Sequence, residues 1–262
     1  MYMGKKKYFN KKKKLPFFSI ITVVKNDEQK IEKTLKSVIS QSYKNYEYIL
    51  IDGKSKDKTL NILKKYRNYF THLRSEIDSG IYYAMNKGIK LAKGNVIVFV
   101  NSGDFLKKNS LYHVRKVFLK NKQYDYVFGT VKRHYTTSTI LKHGVNIKRL
   151  KFNFDFATAH STGFFLKKKI FDKYGHFNTM FKFSADYDLY YRLIIKNQIK
   201  GGTTNKKNII GEVTKGGFSS KISFIKHLIE ESRIRLHNDQ NVLFVIIIFI
   251  NAFIKQIIKK IT

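Results

Sequence analysis

Apolar runs and amphipathic stretches alternate along the first half of the chain. Buried strands are predicted where apolar residues follow one another with little interruption, in FSIITVV (18–24), YEYILID (46–52) and NVIVFV (95–100). Between the first two runs, Ile31, Leu35 and Val38 recur at helical spacing. Such runs are typical of parallel sheets that helices cover on both faces, so the pattern predicts an α/β fold built from right-handed βαβ units.

The second half of the chain is less regular. The pattern predicts a helix at 110–121, a strand within YDYVFGTV (124–131), and a strand followed by a short helix within 160–178. Ser184 is positioned to cap a further helix, which carries Asp186 in its first turn. The basic segment 132–154 shows no clear period, so no element is predicted there.

The two ends of the chain differ from this pattern and suggest three regions. Residues 1–16 are predicted to form a flexible basic arm, 17–220 the α/β domain, and 221–262 a helical tail. The tail is strongly apolar over 242–250, which is shorter than the ~20 residues that span a bilayer, and basic residues follow. It therefore predicts contact with a membrane surface, with packing on the domain or on a second subunit as the alternative.

The charge of the chain is strongly unbalanced. The 52 Lys and Arg residues against 18 Asp and Glu give a net charge of +34, which attracts polyanions such as nucleic acid, anionic lipid or phosphorylated ligands. The sequence contains no cysteine, which excludes disulfides, thiolate metal sites and cysteine nucleophiles and fits a reducing compartment. Neither GxGxxG after the first strand nor GxxxxGK[ST] is present, so Rossmann-type dinucleotide sites and P-loops are not expected.

Acidic residues follow three of the predicted strands. Asp52 ends the second, Glu76 and Asp78 follow a short strand in HLRSE (72–76), and Asp104 follows the fourth. Ligands of open α/β sheets bind beyond the carboxyl ends of the strands. The sequence therefore predicts a site there for a divalent cation, or for hydrogen-bond donors such as a base and ribose.

Three stretches together resemble the family-2 glycosyltransferases of the GT-A fold. They are SIITVVKNDEQKIEKTLKSVISQSYKNYEYILIDGKSKDKT (19–59), SEIDSGIYYAMNKGIKLAKGNVIVFVNSGD (75–104), and HSTGFF (160–165) with FSADYDLYYRL (183–193). The resemblance is strongest to transferases that build bacterial surface polysaccharides (capsule, O-antigen or lipooligosaccharide). It implies a GT-A type, mostly parallel Rossmann-like sheet flanked by helices, with a C-terminal helical tail.

The resemblance also implies which residues bind a nucleotide-sugar donor. They are Thr22, Val24, Lys25, Asp52, Asp78, Asn101, Ser102 and Asp104. In this pattern Asp104 binds Mn²⁺ or Mg²⁺ from NSGD, the counterpart of an acidic DXD-like motif. Ser102 and Gly103 stand where another Asp is often found, so the metal is expected to rest on one carboxylate with diphosphate oxygens and water.

In the same resemblance, SADYDL matches the family's ED motif, with Ala185 in place of the usual Glu and Asp186 as the general base. A sugar hydroxyl is a poor nucleophile, so a carboxylate must accept its proton as the new bond forms. Asp188 is the rival base or a structural carboxylate. Arg192 pairs with an acidic neighbour or a phosphate, and His160 either contacts the acceptor or diphosphate or is hydrogen-bonded in a turn.

The implied reaction is transfer of a hexosyl or N-acetylhexosaminyl group with inversion, from a UDP-sugar to a glycan or polyprenyl-diphosphate-linked acceptor. The basic surface and the tail favour a cytoplasmic protein at the anionic inner face of the cell membrane. Two alternatives remain. A nonspecific nucleic-acid-binding protein fits the charge, although carboxylates at the strand ends would repel a phosphate backbone and make this partner unlikely. A catalytically inactive membrane scaffold fits the reduced acidic motif.

Overall fold

A computed structural model describes residues 17–135, 138–152, 161–214 and 222–261. The strands are β1 (Phe18–Val24), β2 (Tyr46–Asp52), β3 (His72–Ser75), β4 (Val96–Phe99), β5 (Asp104–Leu106), β6 (Tyr126–Phe128), β7 (Thr130–His134), β8 (Thr139–His143), β9 (Phe164–Lys167), β10 (Gly201–Thr203) and β11 (Ile209–Val213). The helices are α1 (Ile31–Ile39), α2 (Thr59–Lys65), α3 (Ile81–Leu91), α4 (Ser110–Lys120), α5 (Ile147–Phe152), α6 (Lys168–Tyr174), α7 (Ala185–Tyr190), α8 (Phe224–His237) and α9 (Val242–Ile261). The predicted arm at 1–16 lies outside the described residues.

A seven-stranded sheet runs through the molecule in the order β10-β6-β9-β4-β1-β2-β3. Its pairs are parallel except at β9, which runs antiparallel to both β4 and β6. A smaller sheet has the order β5-β11-β7-β8. The prediction of an α/β fold with a mostly parallel sheet flanked by helices is confirmed.

The first strand explains why its apolar run lacks alternation. Every residue of β1 is buried, since Ile21 and Val23 pack in one apolar cluster with α3 while Ile20 and Val24 pack in a second cluster with α1. Burial on both faces selects apolar side chains at successive positions.

The register of the sheet brings several strand ends together. Val24 pairs with Asp52 across β1 and β2, and Asp52 pairs with Ser75 across β2 and β3. After β4, the amide of Ser102 donates to the carbonyl of Val23 at 3.4 Å. The carboxyl ends of β1 to β4 therefore share one edge, called the carboxyl edge below.

Two sequence predictions of local structure need correction. The predicted strand in YDYVFGTV is two strands in different sheets, divided at Gly129, where a Cβ atom would lie 2.4 Å from Cγ1 of Ile210 on β11. Ser184 holds the N-cap position of α7, but its hydroxyl lies 3.1 Å from Nδ1 of His227 and does not cap a helix amide. The unassigned segment 132–154 contains most of β7, all of β8 and α5.

The predicted tail consists of two helices. α8 packs against α7, and its Arg235 is fully buried with donor bonds to the carbonyls of Leu150 and Lys151. α9 packs on α8 and leaves most of its surface exposed. No helix within the described ranges is both long and apolar enough to cross a membrane. The boundary between 220 and 221 stays a prediction.

Candidate functional site

The carboxylate of Asp52 is fully buried at the end of β2. Its Oδ1 accepts a hydrogen bond from Oγ of Ser55 at 2.5 Å, and its Oδ2 accepts one from Oγ of Ser75 at 2.5 Å. The Asp52 side chain thus joins the loop after β2 to the end of β3 through hydrogen bonds from Ser55 and Ser75. These bonds fix this part of the carboxyl edge. Its predicted contact with a nucleotide stays a prediction.

The three predicted residues of β1 and its end lie in different surroundings. Val24 is buried and ends the strand, while Lys25 is exposed and packs its side chain over Gly53. Thr22 is fully buried, and its hydroxyl donates to the carbonyl of Val100 at 2.7 Å and lies 3.0 Å from Oη of Tyr48. The hydroxyl of Thr22 thus has partners inside the core, and its predicted contact with the donor stays a prediction.

The NSGD motif forms a tight turn that is hydrogen-bonded to α1. The amide of Asp104 donates to the carbonyl of Asn101 at 3.0 Å, and Gly103 adopts a φ of +92°, which favours glycine. Thr34 of α1 accepts from the amide of Gly103 at 3.0 Å and donates to the carbonyl of Asp104 at 2.9 Å. Thr34, a polar residue on the apolar face of α1, thereby sets the position of the turn.

The side chain of Asp104 is only 6% exposed, and its Oδ2 accepts from Oγ1 of Thr162 at 2.9 Å. Burial raises the pKa of the Asp104 carboxyl group to about 8, and the bond from Thr162 and the positive charges of Arg133 and Lys30 offset part of this effect. Two cations therefore flank the carboxyl group that the sequence assigns to metal binding.

Several polar atoms at this edge are buried with no hydrogen-bond partner in the described part of the chain. They are Oδ2 of Asp78, Oδ1 of Asn101 and Oγ of Ser102. The other oxygen of Asp78 forms an ion pair with Lys87. Buried polar atoms in folded proteins are nearly always paired, so unpaired oxygens at the carboxyl edge point to a ligand.

The residues present fit a hard divalent cation. Oxygen atoms from carboxylate, amide and hydroxyl groups are the ligands that Mg²⁺ and Mn²⁺ prefer. Within the described ranges no group of three or more His, Cys, Asp or Glu side chains could hold a metal ion by itself. A cation here would therefore need ligands besides the Asp104 carboxylate, and oxygens of the bound nucleotide-sugar would supply them.

Asp186 lies near the start of α7, half-buried beside α3. Oη of Tyr82 lies 3.0 Å from Oδ1 of Asp186, and the amide of Tyr187 donates to the same oxygen at 2.9 Å. Burial and the neighbouring Asp186 carboxylate raise the pKa of Tyr82 well above its usual value, so its hydroxyl stays protonated and can donate. Tyr82 lies in the first turn of α3, and α3 begins three residues after Asp78. The contact between Tyr82 and Asp186 therefore brings Asp186 close to the carboxyl edge.

A second acidic side chain, Glu231 of α8, interacts with Asp186. Burial raises the pKa of Glu231 to about 8, and the negative charge of Asp186 contributes to the increase. At neutral pH Glu231 is therefore mostly protonated. Protonation of Glu231 removes a like charge from the neighbourhood of Asp186.

Asp188 and Arg192 have structural positions. Asp188 is 1% exposed, accepts from Nδ2 of Asn238 at 2.9 Å and pairs with Nε of Arg192 at 3.4 Å. Arg192 also donates to the carbonyls of Tyr174 and, at 2.7 Å, His176. These contacts match two of the alternatives, a structural carboxylate for Asp188 and an acidic partner for Arg192. A role of Asp188 as base, or of either residue at the acceptor or diphosphate, stays a prediction.

The sequence analysis missed three residues of the site, although all of them lie in the stretches that carry the family resemblance. They are Thr34 (in 19–59), Tyr82 (in 75–104) and Thr162 (in 160–165). A polar group amid apolar positions is the signal that could have singled them out. His160 lies outside the described residues. The adjacent Ser161 has its Oγ 3.4 Å from Nδ2 of Asn101, which brings this segment to the carboxyl edge.

The chain is similar to known proteins in sequence and in fold. The sequence model described as Glycosyl transferase family 2 matches residues 19–189. A PGL/p-HBAD biosynthesis glycosyltransferase of Mycobacterium bovis is 28% identical over 179 residues, which are 66% of this chain and 68% of the relative.

Two solved structures share the fold. The crystal structure of S. aureus TarS 1-349 in complex with UDP has a TM-score of 0.63 at 18% identity and covers 90% of this chain and 70% of its own. The mannosyltransferase PcManGT from Pyrobaculum calidifontis, in complex with GDP-Man and Mn²⁺, has a TM-score of 0.65 at 14% identity, with 91% and 69% covered. At these identities the likeness concerns the fold.

Proposed function

Because this chain belongs to glycosyltransferase family 2, we propose that it transfers a hexosyl or N-acetylhexosaminyl group from a UDP-sugar, with inversion at the anomeric carbon. The acceptor is a hydroxyl group of a glycan or polyprenyl-diphosphate-linked glycan in bacterial surface polysaccharide synthesis. The observation that carries this proposal is the set of unpaired buried oxygens at the carboxyl edge, from Asp78 after β3 and from Asn101 and Ser102 in the turn that contains Asp104. The bound nucleotides of TarS and PcManGT support a nucleotide-sugar donor.

In the proposed reaction Asp186 accepts the proton of the acceptor hydroxyl. The hydroxyl oxygen bonds to the anomeric carbon from the face opposite the diphosphate, and the bond from that carbon to the diphosphate oxygen breaks, so that the nucleoside diphosphate leaves with the electron pair. Tyr82 donates to Asp186 and orients its carboxylate. Lys30 and Arg133 supply positive charge beside Asp104, where the diphosphate is expected.

A divalent cation, Mn²⁺ or Mg²⁺, would bind to Asp104 and the donor's diphosphate. It would neutralise the negative charge that develops on the leaving group. The Mn²⁺ in the PcManGT complex supports this assignment. Since one carboxylate supplies the protein's charge, we expect weak cation affinity in the absence of nucleotide.

The proposed function is tested by titrating the purified protein with UDP, UDP-GlcNAc, UDP-glucose and GDP-mannose, with and without Mn²⁺, and by following release of the nucleoside diphosphate. We expect Mn²⁺-dependent binding and slow hydrolysis of a UDP-sugar. Absence of nucleotide binding together with tight, salt-sensitive RNA binding would favour the nucleic-acid alternative. Binding without any turnover, with an acceptor extract added, would favour the inactive scaffold.

We further propose that α8 and α9 hold the enzyme on the anionic, cytoplasmic face of the cell membrane. On α9, Leu243, Ile247 and Ile250 are 71%, 62% and 51% exposed along one stripe. On α8, the exposed apolar residues Ile225, Ile229 and Leu236 lie beside the exposed cations Lys226 and Arg233. Apolar residues next to basic ones are typical of helices that lie in a membrane interface.

Replacing Leu243 and Ile247 together by glutamate is expected to weaken binding to vesicles with 30% phosphatidylglycerol by at least about tenfold, because two apolar anchors are lost. Vesicle sedimentation measures the change. The matched control replaces Tyr112 and Leu119, two exposed residues of α4, by glutamate and should bind like the unmodified protein. Unchanged binding of the α9 variant would contradict the membrane proposal, and a dimer that dissociates on this change would assign the stripe to a second copy.

A further inference from the structure

The helix α8 lies beyond residues 19–189, which match the family model, yet it contacts the segment that leads into α7. Its Glu230 accepts two backbone hydrogen bonds. Oε1 accepts from the amide of Lys182 at 2.7 Å, and Oε2 accepts from the amide of Phe183 at 2.7 Å. The two oxygens of the Glu230 carboxylate therefore accept hydrogen bonds from two consecutive backbone amides. Such charge-assisted bonds are short and strong.

These two peptide groups lie directly before the proposed base. Only Ser184 and Ala185 separate Phe183 from Asp186. Oη of Tyr82, on α3, lies 3.1 Å from the carbonyl of Phe183 and 3.0 Å from Oδ1 of Asp186. The segment 182–186 is thus fixed by α8 through its amides and by α3 through a carbonyl and the base itself.

A second residue of α8 reinforces this contact. His227 precedes Glu230 by three residues, so both side chains lie on the same face of the helix. Nδ1 of His227 lies 3.1 Å from Oγ of Ser184, the N-cap residue of α7. The Ser184 hydroxyl, which could otherwise cap α7, contacts α8 instead. The position of the first turn of α7 therefore depends on α8.

We propose that Glu230 is a positioning residue for Asp186, so that α8 is part of the active site. This inference rests on the proposed function, in which Asp186 is the general base. The base must lie within hydrogen-bond reach of the acceptor hydroxyl, and a misplacement of about 1 Å can cost about 100-fold in rate. α8 also carries exposed apolar residues proposed to lie on the membrane, so the same helix links the base to the surface where a lipid-linked acceptor would be found.

The test compares Glu230→Ala and Glu230→Gln with Ser232→Ala. Among the described residues, the Ser232 hydroxyl bonds only to the carbonyl of Leu228 in its own helix. We expect Glu230→Ala to lower kcat about 10- to 100-fold, with the donor Kd within about twofold and the thermal unfolding midpoint nearly unchanged. Glu230→Gln should recover part of kcat, because its amide oxygen still accepts one of the two bonds. Ser232→Ala should behave like the unmodified enzyme.

Wild-type kcat in Glu230→Ala would overturn the inference, as would a loss of donor affinity equal to the loss of kcat. If Glu230→Ala fails to fold, the kcat and donor Kd of Glu230→Gln decide in the same way. Asp186→Asn is assayed in parallel. A fully active Asp186→Asn enzyme would refute the proposed base, whereas an inactive one beside a fully active Glu230→Ala would refute the positioning role alone.

Discussion

Replacement of Asp186 by asparagine is expected to lower kcat for sugar transfer by about 10²- to 10⁴-fold and to leave the donor Kd within about twofold. The change removes the group that accepts the proton of the acceptor hydroxyl. It keeps the side-chain volume and an oxygen that can accept from Tyr82 and from the amide of Tyr187, as Oδ1 does at 3.0 and 2.9 Å. Catalysis is therefore lost without a change in packing.

Initial rates at saturating donor and acceptor measure this effect, and calorimetric titration of UDP measures donor binding. Asp172→Asn is the matched control, because Asp172 is an exposed carboxylate whose ion pair, within the described residues, is with Lys168 of its own helix. Its rate should equal that of the unmodified enzyme. Equal losses of kcat and donor affinity in Asp186→Asn would mean that Asp186 binds the donor and is not the general base.

The apolar runs predicted the central strands well because burial on both faces leaves little choice of side chain. FSIITVV matches β1 and YEYILID matches β2 over the same residues. The register places Asp52 beside the end of β1, and the turn after β4, which contains Asp104, is hydrogen-bonded to the same strand end, as the order of strands and helices predicted. Features that depend on periodicity and strand direction could thus be predicted from the sequence.

The contacts that orient the site could not be predicted in this way. Tyr82 and Asp186 are 104 positions apart in the chain, Thr34 and the carbonyl of Asp104 are 70 apart, and Glu230 is 48 from Lys182. No local spacing relates such residues, and only the tertiary packing of α1, α3 and α8 brings them together.

Two polar residues in apolar surroundings show why their roles are ambiguous in a sequence. The hydroxyl of Thr22 is satisfied by a carbonyl inside the sheet, and the carboxylate of Asp188 is satisfied by Arg192 and Asn238. A sequence shows that a polar group needs a partner but does not show whether the partner is protein or ligand. The contrast with Asp78 and Asn101, whose buried oxygens lack a partner in the described part of the chain, is visible only in the structure.

Replacement of Asp104 by asparagine is expected to abolish the dependence of UDP binding on Mn²⁺. In the unmodified protein we expect Mn²⁺ to strengthen UDP binding by about tenfold or more, or about 1.4 kcal/mol, through a cation held between Asp104 and the diphosphate. The Asp104 carboxyl group, whose pKa is about 8, can release its proton when a cation binds to it, whereas asparagine cannot ionise. It retains an oxygen that can accept from Thr162, as Oδ2 does at 2.9 Å, so the turn should keep its conformation.

Calorimetric titration of UDP into Asp104→Asn, with and without Mn²⁺, measures this change, and a thermal unfolding curve checks the fold. Asp172→Asn again serves as the control and should retain the full response to Mn²⁺. Persistence of that response in Asp104→Asn would mean that other oxygens hold the cation. Because Lys30 and Arg133 remain beside the site in the variant, residual metal-independent binding of UDP is expected and measures how much of the diphosphate charge the protein's own cations balance.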